Sequence, residues 1–204
     1  KKSMYQYEAT YRIPITKKTM NLFLDRQCLH RAVNYLFRKN NDSENIEEFR
    51  KRTNVLFRLE DNRLKIRADV SPKNVDNIFD CISENFDSKK EFQRGERYQF
   101  SVLVSPTVKN SKTKTRHFIK DASDRNLWIQ EKGRKNGFRV ITNMEINKDT
   151  YTVSHGEKKG GSFSLIGVEN IGILEVTDPE KFSEAYRKGI GKGKAYGFGM
   201  LTLK

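Results

Sequence analysis

The strongest constraint on this chain is an order of strand-like and helix-like segments that runs through its first half and again through its second. In the first half, residues 5–15 read as a strand and residues 25–40 as a helix. Residues 54–59 and 64–70 read as strands joined through Asp61-Asn62, a pair suited to a two-residue hairpin. Ser71 as cap and Pro72 at the first position predict a second helix, with Val75, Ile78, Phe79, Ile82 and Phe86 on one face. A short segment around Phe92 would close the set as an edge strand. In the second half, residues 98–104 alternate like a strand and residues 123–135 read as a helix carrying Leu127 and Trp128, ending near Gly133 or Gly137. Residues 138–146, a polar hairpin, and residues 163–168 and 171–176 follow as extended chain. Asp178 and Pro179 open a last helix that stops at Gly189, and the tail supplies a final strand. Each half therefore has the order βαββαβ, the ferredoxin-like unit. The expected fold class is α+β, with two tandem ferredoxin-like domains over residues 1–94 and 95–204.

Fold alone does not decide function, so charge enters next. The 204 residues hold 40 Lys and Arg against 26 Asp and Glu, a formal net charge of +14. Such an excess points to a polyanion, with nucleic acid first and an anionic membrane surface second. The chain has no run of 18 apolar residues to span a bilayer and no signal-peptide pattern at its start. Its two cysteines, Cys28 and Cys81, lie in helix-like patterns without C-x-x-C spacing. That argues against a zinc module and for a reduced, cytoplasmic protein without metal or cofactor.

The tail "KGIGKGKAYGFGMLTLK" combines glycines with lysines, a composition that often contacts phosphate. A nucleotide loop is excluded by spacing. Gly191-Lys192 and Gly193-Lys194 are followed by Gly193 and Ala195 rather than Ser or Thr, and a strand-like end follows rather than a helix. Two readings remain: a turn admitting the last strand to a sheet, or a cradle for a polymer's phosphates in which Lys192 and Lys194 add charge.

The first helix, "DRQCLHRAVNYLFRKN", segregates cleanly at about 100° per residue. Gln27, Arg31, Asn34, Tyr35 and Arg38 share the polar half; Cys28, Leu29, Ala32, Val33, Leu36 and Phe37 share the apolar half. His30 sits at the border beside Phe37. It is either a partly exposed helix histidine or an imidazole at a cleft edge, able to move protons while Arg31 and Arg38 hold a phosphate. His117 and His155 lie in flexible-looking segments, where each is either a solvated loop residue or an RNA contact. Lys109, Lys112, Lys114 and Arg116 crowd the stretch that precedes the helix beginning near Ser123, forming a basic arm, and Lys158 and Lys159 sit at a hairpin tip. No RRM-type aromatic signature accompanies them, so shape and phosphate contacts to RNA are expected over base stacking.

The order of elements together with "LHRAVNYLF", "LVSPTVKNSKTKTRHF", "NLWIQEKGRKNGFRV" and "GIGKGKAYGFGMLTL" resembles the CasE family, the CRISPR repeat-processing endoribonucleases of type I-E systems within the RAMP superfamily. The resemblance covers nearly the whole chain. It implies binding of a repeat hairpin in precursor CRISPR RNA, cleavage at the 3′ base of the stem, retention of the product, and partnership with other Cascade subunits. His30 matches the family's catalytic histidine, the family's basic segment falls on Lys109 to His117, and its RNA-contacting hairpin falls near Lys158 and Lys159. Family members carry tyrosine three residues before the histidine, where this chain has Gln27. Gln27 can hydrogen-bond a phosphate but supplies no phenol, and Arg38, Arg31 and Tyr35 are the candidates for the second catalytic partner. RNA contacts are expected from Lys109, Lys112, Lys114, Arg116, His117, Lys158, Lys159, Gly191, Lys192, Gly193 and Lys194. The competing readings are a non-catalytic hairpin-binding subunit and, third, a DNA-binding regulator, for which the chain offers no helix-turn-helix signal.

Overall fold

A computed structural model describes residues 6–38, 44–74, 78–88, 90–155 and 161–204. The chain forms two compact units. The first comprises residues 1–90, 151–164 and 195–197, and the second residues 91–150, 165–194 and 198–204.

In the first unit, β1 (Tyr7–Arg12), β2 (Leu56–Glu60), β3 (Arg63–Ala68) and β4 (Asp80–Asn85) form an antiparallel sheet in the order β2-β3-β1-β4. Between β1 and β2 run α1 (Met20–Leu24), α2 (Arg26–Phe37) and α3 (Ile46–Thr53). Asp25 starts α2 by accepting a hydrogen bond from the Gln27 amide at 2.9 Å. The helix then buries Leu29, Val33, Leu36 and Phe37, at helical spacing, into a core with Tyr7, Ile13, Phe57, Leu64 and Ile66. Each such fully buried side chain contributes roughly 1.5–3 kcal/mol of transfer free energy.

The helix expected from Ser71 onward is absent from the described residues. Val75 lies outside the described residues, and Asp80–Asn85 is a strand pairing with β1. Without it, the outer edge of β1 would present unpaired N–H and C=O groups. Strand geometry also serves the side chains. Alternate residues Glu84 and Phe86 both reach Tyr7, whose hydroxyl donates to Glu84 Oε1 at 2.6 Å and whose ring lies 5.5 Å from that of Phe86. Of the predicted helical face, Phe79 does enter the core, whereas Ile78, Ile82 and Phe86 remain exposed.

In the second unit, β5 (Arg97–Val104), β8 (Phe138–Ser154), β9 (Ser162–Val176) and β10 (Thr202–Leu203) give the sheet order β10-β5-β9-β8, with α4 (Ala122–Lys135) and α5 (Pro179–Lys188) as the two helices. Asp178 caps α5 and Gly189 ends it, as the sequence predicts. The strands β8 and β9 are longer than their apolar patterns, and their far ends, residues 151–154 and 162–164, belong to the first unit. Phe92, expected as an edge strand of the first half, instead packs in the second core, with its ring 4.7 Å from Phe182 and 5.3 Å from Tyr186. Both sheets have the ferredoxin-like strand order, so the tandem fold class holds.

Candidate functional site

His30 lies within the first unit, on the same helix as the core stripe but turned to its margin. The sequence places it half in solvent; the structure buries it to 8% exposure, because Arg50 and the segment Ala195–Gly197 pack on the ring. Nδ1 is 2.8 Å from the Ala195 carbonyl oxygen. A carbonyl only accepts, so Nδ1 carries the proton and, in the neutral ring, Nε2 keeps its lone pair. Asn34, one turn on, donates from Nδ2 to the His30 carbonyl at 2.8 Å and lies 3.1 Å from both ring nitrogens, against the ring face.

Arg50 Nη1 stands 3.2 Å from His30 Nδ1, while Nη2 donates to the Val55 carbonyl at 3.1 Å. Burial first, and then the Arg50 charge, push His30 down to about 4, against the opposing pull of the Ala195 carbonyl. Burial also pushes Arg50 down to about 10. At neutral pH the site therefore holds an uncharged imidazole beside a guanidinium. A phosphate could lie against that charge while Nε2 takes a proton.

Tyr196 and His155 complete the group. The Tyr196 ring is 5.8 Å from that of His30, and its hydroxyl is 3.1 Å from His155 Nε2. His155 stacks on Phe163 at 5.4 Å and 19°. Expected in a flexible hairpin, it is instead held by two aromatic neighbours. Burial raises the Tyr196 phenol, with Arg50 acting against it.

The other predicted catalytic residues are distributed unevenly. Gln27 is half-buried, and its Oε1 has no hydrogen-bond partner among the described residues. Arg31 is exposed, and its charge is felt at His30. Arg38 caps the far end of α2, about 12 Å from His30 along the axis. There it donates to the Glu44 carbonyl and lies 5.7 Å from the Phe49 ring centre. Tyr35 is exposed. The structure thus brings Arg50, rather than Arg38, to the imidazole. Nothing in the sequence marks Arg50, which sits among other cations on α3.

The basic stretch of the second unit is a hairpin, not an arm. β6 (Thr107–Lys109) pairs with β7 (Arg116–Phe118), and Lys109, Lys112, Lys114, Arg116 and His117 are all exposed on it. Asn110 shapes the turn by accepting from the amides of Lys112 at 2.8 Å and Thr113 at 3.1 Å. His117 Nε2 pairs with the Thr115 hydroxyl at 2.8 Å. The base is fixed by buried Arg125, which donates to the Ile119 carbonyl at 3.2 Å and forms a two-pronged pair with Glu145 at 2.7 and 2.6 Å.

In the glycine tail, Gly191 and Gly193 have φ of +73° and +78°, a conformation side chains rarely adopt. A Cβ on Gly191 would already touch Trp128. Lys192 is exposed, and Lys194 is half-buried. Burial, then the neighbouring charges of Lys192, Lys188 and Lys132, lower Lys194. Lys132, unmarked in the sequence reading, lies 5.3 Å from the Trp128 ring centre and is lowered by burial and by a set of cations including Arg116 and Lys192. Cations that depress one another would be relieved by a bound anion. Lys158 and Lys159 lie outside the described residues. Among the described residues no cluster of His, Cys, Asp and Glu has the proximity to hold a metal, and no helix is long and apolar enough to cross a membrane.

A family model described as "CRISPR associated protein" matches residues 9–204. A curated relative, the CRISPR-associated endoribonuclease Cse3 of Thermus thermophilus, is 29% identical over 118 residues, which is 53% of this chain and 56% of the relative; the match thus spans little more than half of that protein. Among solved structures, endoribonuclease Cse3 bound to a 19 nt RNA superposes with TM-score 0.82 at 20% identity, covering 98% of this chain and 99% of that one. A chain of a CRISPR RNA-guided surveillance complex superposes with TM-score 0.68 at 19% identity, covering 97% and 98%. At these identities the superpositions establish the shared fold.

Proposed function

Since the chain belongs to the family of CRISPR-associated proteins, we propose that it is a CasE-type, metal-independent endoribonuclease. It binds repeat stem-loops in precursor CRISPR RNA and cuts at the 3′ base of the stem. It leaves a 2′,3′-cyclic phosphate and a 5′-OH, and retains the product crRNA in the cytoplasm together with other Cascade subunits. The observation that carries this reading is the His30 ring: buried, tied at Nδ1 to the Ala195 carbonyl, and set against the Arg50 guanidinium. That arrangement suits internal attack by the RNA's own 2′-OH. His30 Nε2 takes the 2′ proton, the new 2′-O–P bond forms, and the P–O5′ bond breaks. Arg50, with exposed Arg31, offsets the charge gathering on the phosphate. Gln27, one turn before His30, offers its amide to a phosphate oxygen.

Affinity comes from the basic hairpin, Lys109 to His117, and from Lys192, Lys194 and Lys132, whose positive charges suit contacts to the phosphates of an A-form stem rather than base recognition. The named relatives support this reading, Cse3 being called an endoribonuclease and its structure containing RNA.

The test is incubation with hairpin repeat RNA of the host's own CRISPR array, with and without EDTA, and with a substrate carrying a single 2′-deoxy nucleotide before the cut. Cleavage that survives EDTA and is lost on the deoxy substrate, with binding kept, is expected. Cleavage that needs restored magnesium overturns the mechanism. Tight binding without any cleavage favours the hairpin-binding subunit.

A further inference from the structure

The reaction proposed above moves two protons: one leaves the 2′-OH and one must reach the departing 5′ oxygen. His30 can serve only one of them. Its Nδ1–H is engaged by the Ala195 carbonyl, and Asn34 lies against the ring face, so Nε2 is the one ring nitrogen with a lone pair left to take a proton. The second proton needs a different group. The titratable and charged side chains around His30 are Arg50, Arg31, Tyr196 and His155. The guanidiniums are better placed to offset charge than to surrender a proton, since Arg50 is already bound through Nη2 to Val55.

Tyr196 is built differently. Its ring lies 5.8 Å from the His30 ring, tilted by 52°, and its hydroxyl reaches His155 Nε2 at 3.1 Å. The His155, Phe163 and Tyr196 rings pack mutually at 5.4, 5.9 and 6.2 Å, which fixes the direction of the phenol. The backbone is pinned as well. Gly197, immediately after it, has φ +87°, and a Cβ there would lie 3.0 Å from the Phe57 ring. The glycines of the tail, read from sequence as a turn or a phosphate cradle, therefore also set a phenol beside the His30 imidazole.

We propose that Tyr196 is a second catalytic residue, donating its phenolic proton to the 5′ oxygen as the P–O5′ bond breaks, with His155 as the positioning residue that holds the phenol and re-protonates it. The inference rests on the endoribonuclease reading above. The balance closes without a cofactor: the 2′ proton goes to His30 Nε2, the 5′ oxygen receives the Tyr196 proton, and solvent exchanges the protons that reset the site. The phenolate then takes the Nε2 proton of His155 while the other nitrogen of that ring takes one from solvent, and His30 releases its extra proton to solvent.

The test compares two hairpin repeat RNAs, one ordinary and one with sulfur in place of the bridging 5′ oxygen at the cut. A thiolate leaves without protonation, so loss of the acid is masked on that substrate. Tyr196→Phe is expected to slow the ordinary RNA by about 10²- to 10⁴-fold and to cut the sulfur-bridged RNA within a few-fold of the unmodified protein. His30→Ala stays slow on both. His155→Ala should lose roughly 10-fold on the ordinary RNA only, a fraction of a full general-acid effect. It also serves as the second variant should Tyr196→Phe fail to bind hairpin. Equal loss on the two substrates, or an undiminished rate for Tyr196→Phe on the ordinary RNA, overturns the assignment. If the unmodified protein cuts neither RNA, the endoribonuclease reading itself fails, and the role of Tyr196 falls with it.

Discussion

The two sheets share one strand order, yet the candidate catalytic groups and the candidate RNA-contacting cations on them differ in burial. In the first unit, the groups of interest are withdrawn from water: His30 and Asn34 are buried, and Arg50 and Tyr196 are half-buried with their directions set by hydrogen bonds and ring contacts. In the second, the cations Lys109, Lys112, Lys114, Arg116 and Lys192 stand in solvent on a hairpin and a glycine loop. Buried groups can hold a reaction geometry, because packing fixes them and a low dielectric amplifies their charges. Exposed cations cannot fix a geometry to that degree, but they gather phosphates and release counterions. On the proposed reading, the same ferredoxin-like frame carries chemistry where it buries these groups and affinity where it leaves cations in solvent.

The contrast can be sharpened by acid. His30 carries a pKa pushed down to about 4 in the fold against 6.5 when unfolded. Between those values the unfolded chain binds the extra proton, so stability is fully present above pH 6.5 and falls as pH drops towards 4. The loss is up to about 3 kcal/mol. His30→Ala should flatten this part of the stability–pH curve measured by urea unfolding, whereas alanine at Lys112, an exposed residue, should leave it unchanged. An identical curve for His30→Ala and the unmodified protein would mean that the ring titrates normally.

A smaller effect probes the ion pair between buried Arg125 and half-buried Glu145 at the base of the exposed hairpin. Arg125→Met leaves Glu145 without its two-pronged partner and removes the donor to Ile119. The expected cost is about 2–3 kcal/mol in stability. Hairpin RNA affinity should fall with it, because the base of β6 and β7 loosens. Full stability with weakened binding would instead place Arg125 at the RNA.

Smaller again is the effect of the exposed charges. Replacing Lys112, Lys114 and Arg116 together by alanine should weaken hairpin binding roughly 10-fold near physiological salt and reduce the slope of log affinity against log salt by about two to three. An unchanged slope removes this hairpin from the RNA interface.

Much of this was legible beforehand for physical reasons that can be named. The α2 wheel worked because Leu29, Val33, Leu36 and Phe37 answer to a single period and a single core. The last helix worked because Asp178, Pro179 and Gly189 are local signals acting on adjacent backbone. The helix expected over residues 71–86 failed because Phe79, Ile82 and Phe86 satisfy a helical period by composition, while the choice was made by the unpaired edge of β1, a long-range demand. The site was half-legible for the same reason. His30 and the basic stretch are visible in one dimension. Arg50, Ala195, Tyr196 and His155 reach the imidazole only through folding, from positions 20 to 166 residues away in the chain. No local pattern distinguishes Arg50 from its neighbours Lys51 and Arg52.

The division of labour is tested most directly by single-turnover cleavage of hairpin repeat RNA as a function of protein concentration. His30→Ala is to be compared with the Lys112, Lys114 and Arg116 triple alanine variant. The account predicts that His30→Ala loses about 10²- to 10⁴-fold in the plateau rate with half-saturation within a few-fold of the unmodified protein. The triple variant should shift half-saturation to higher concentration and recover the full plateau. A reduced plateau in the triple variant, or a full plateau in His30→Ala, would contradict the separation of chemistry from affinity between the two units.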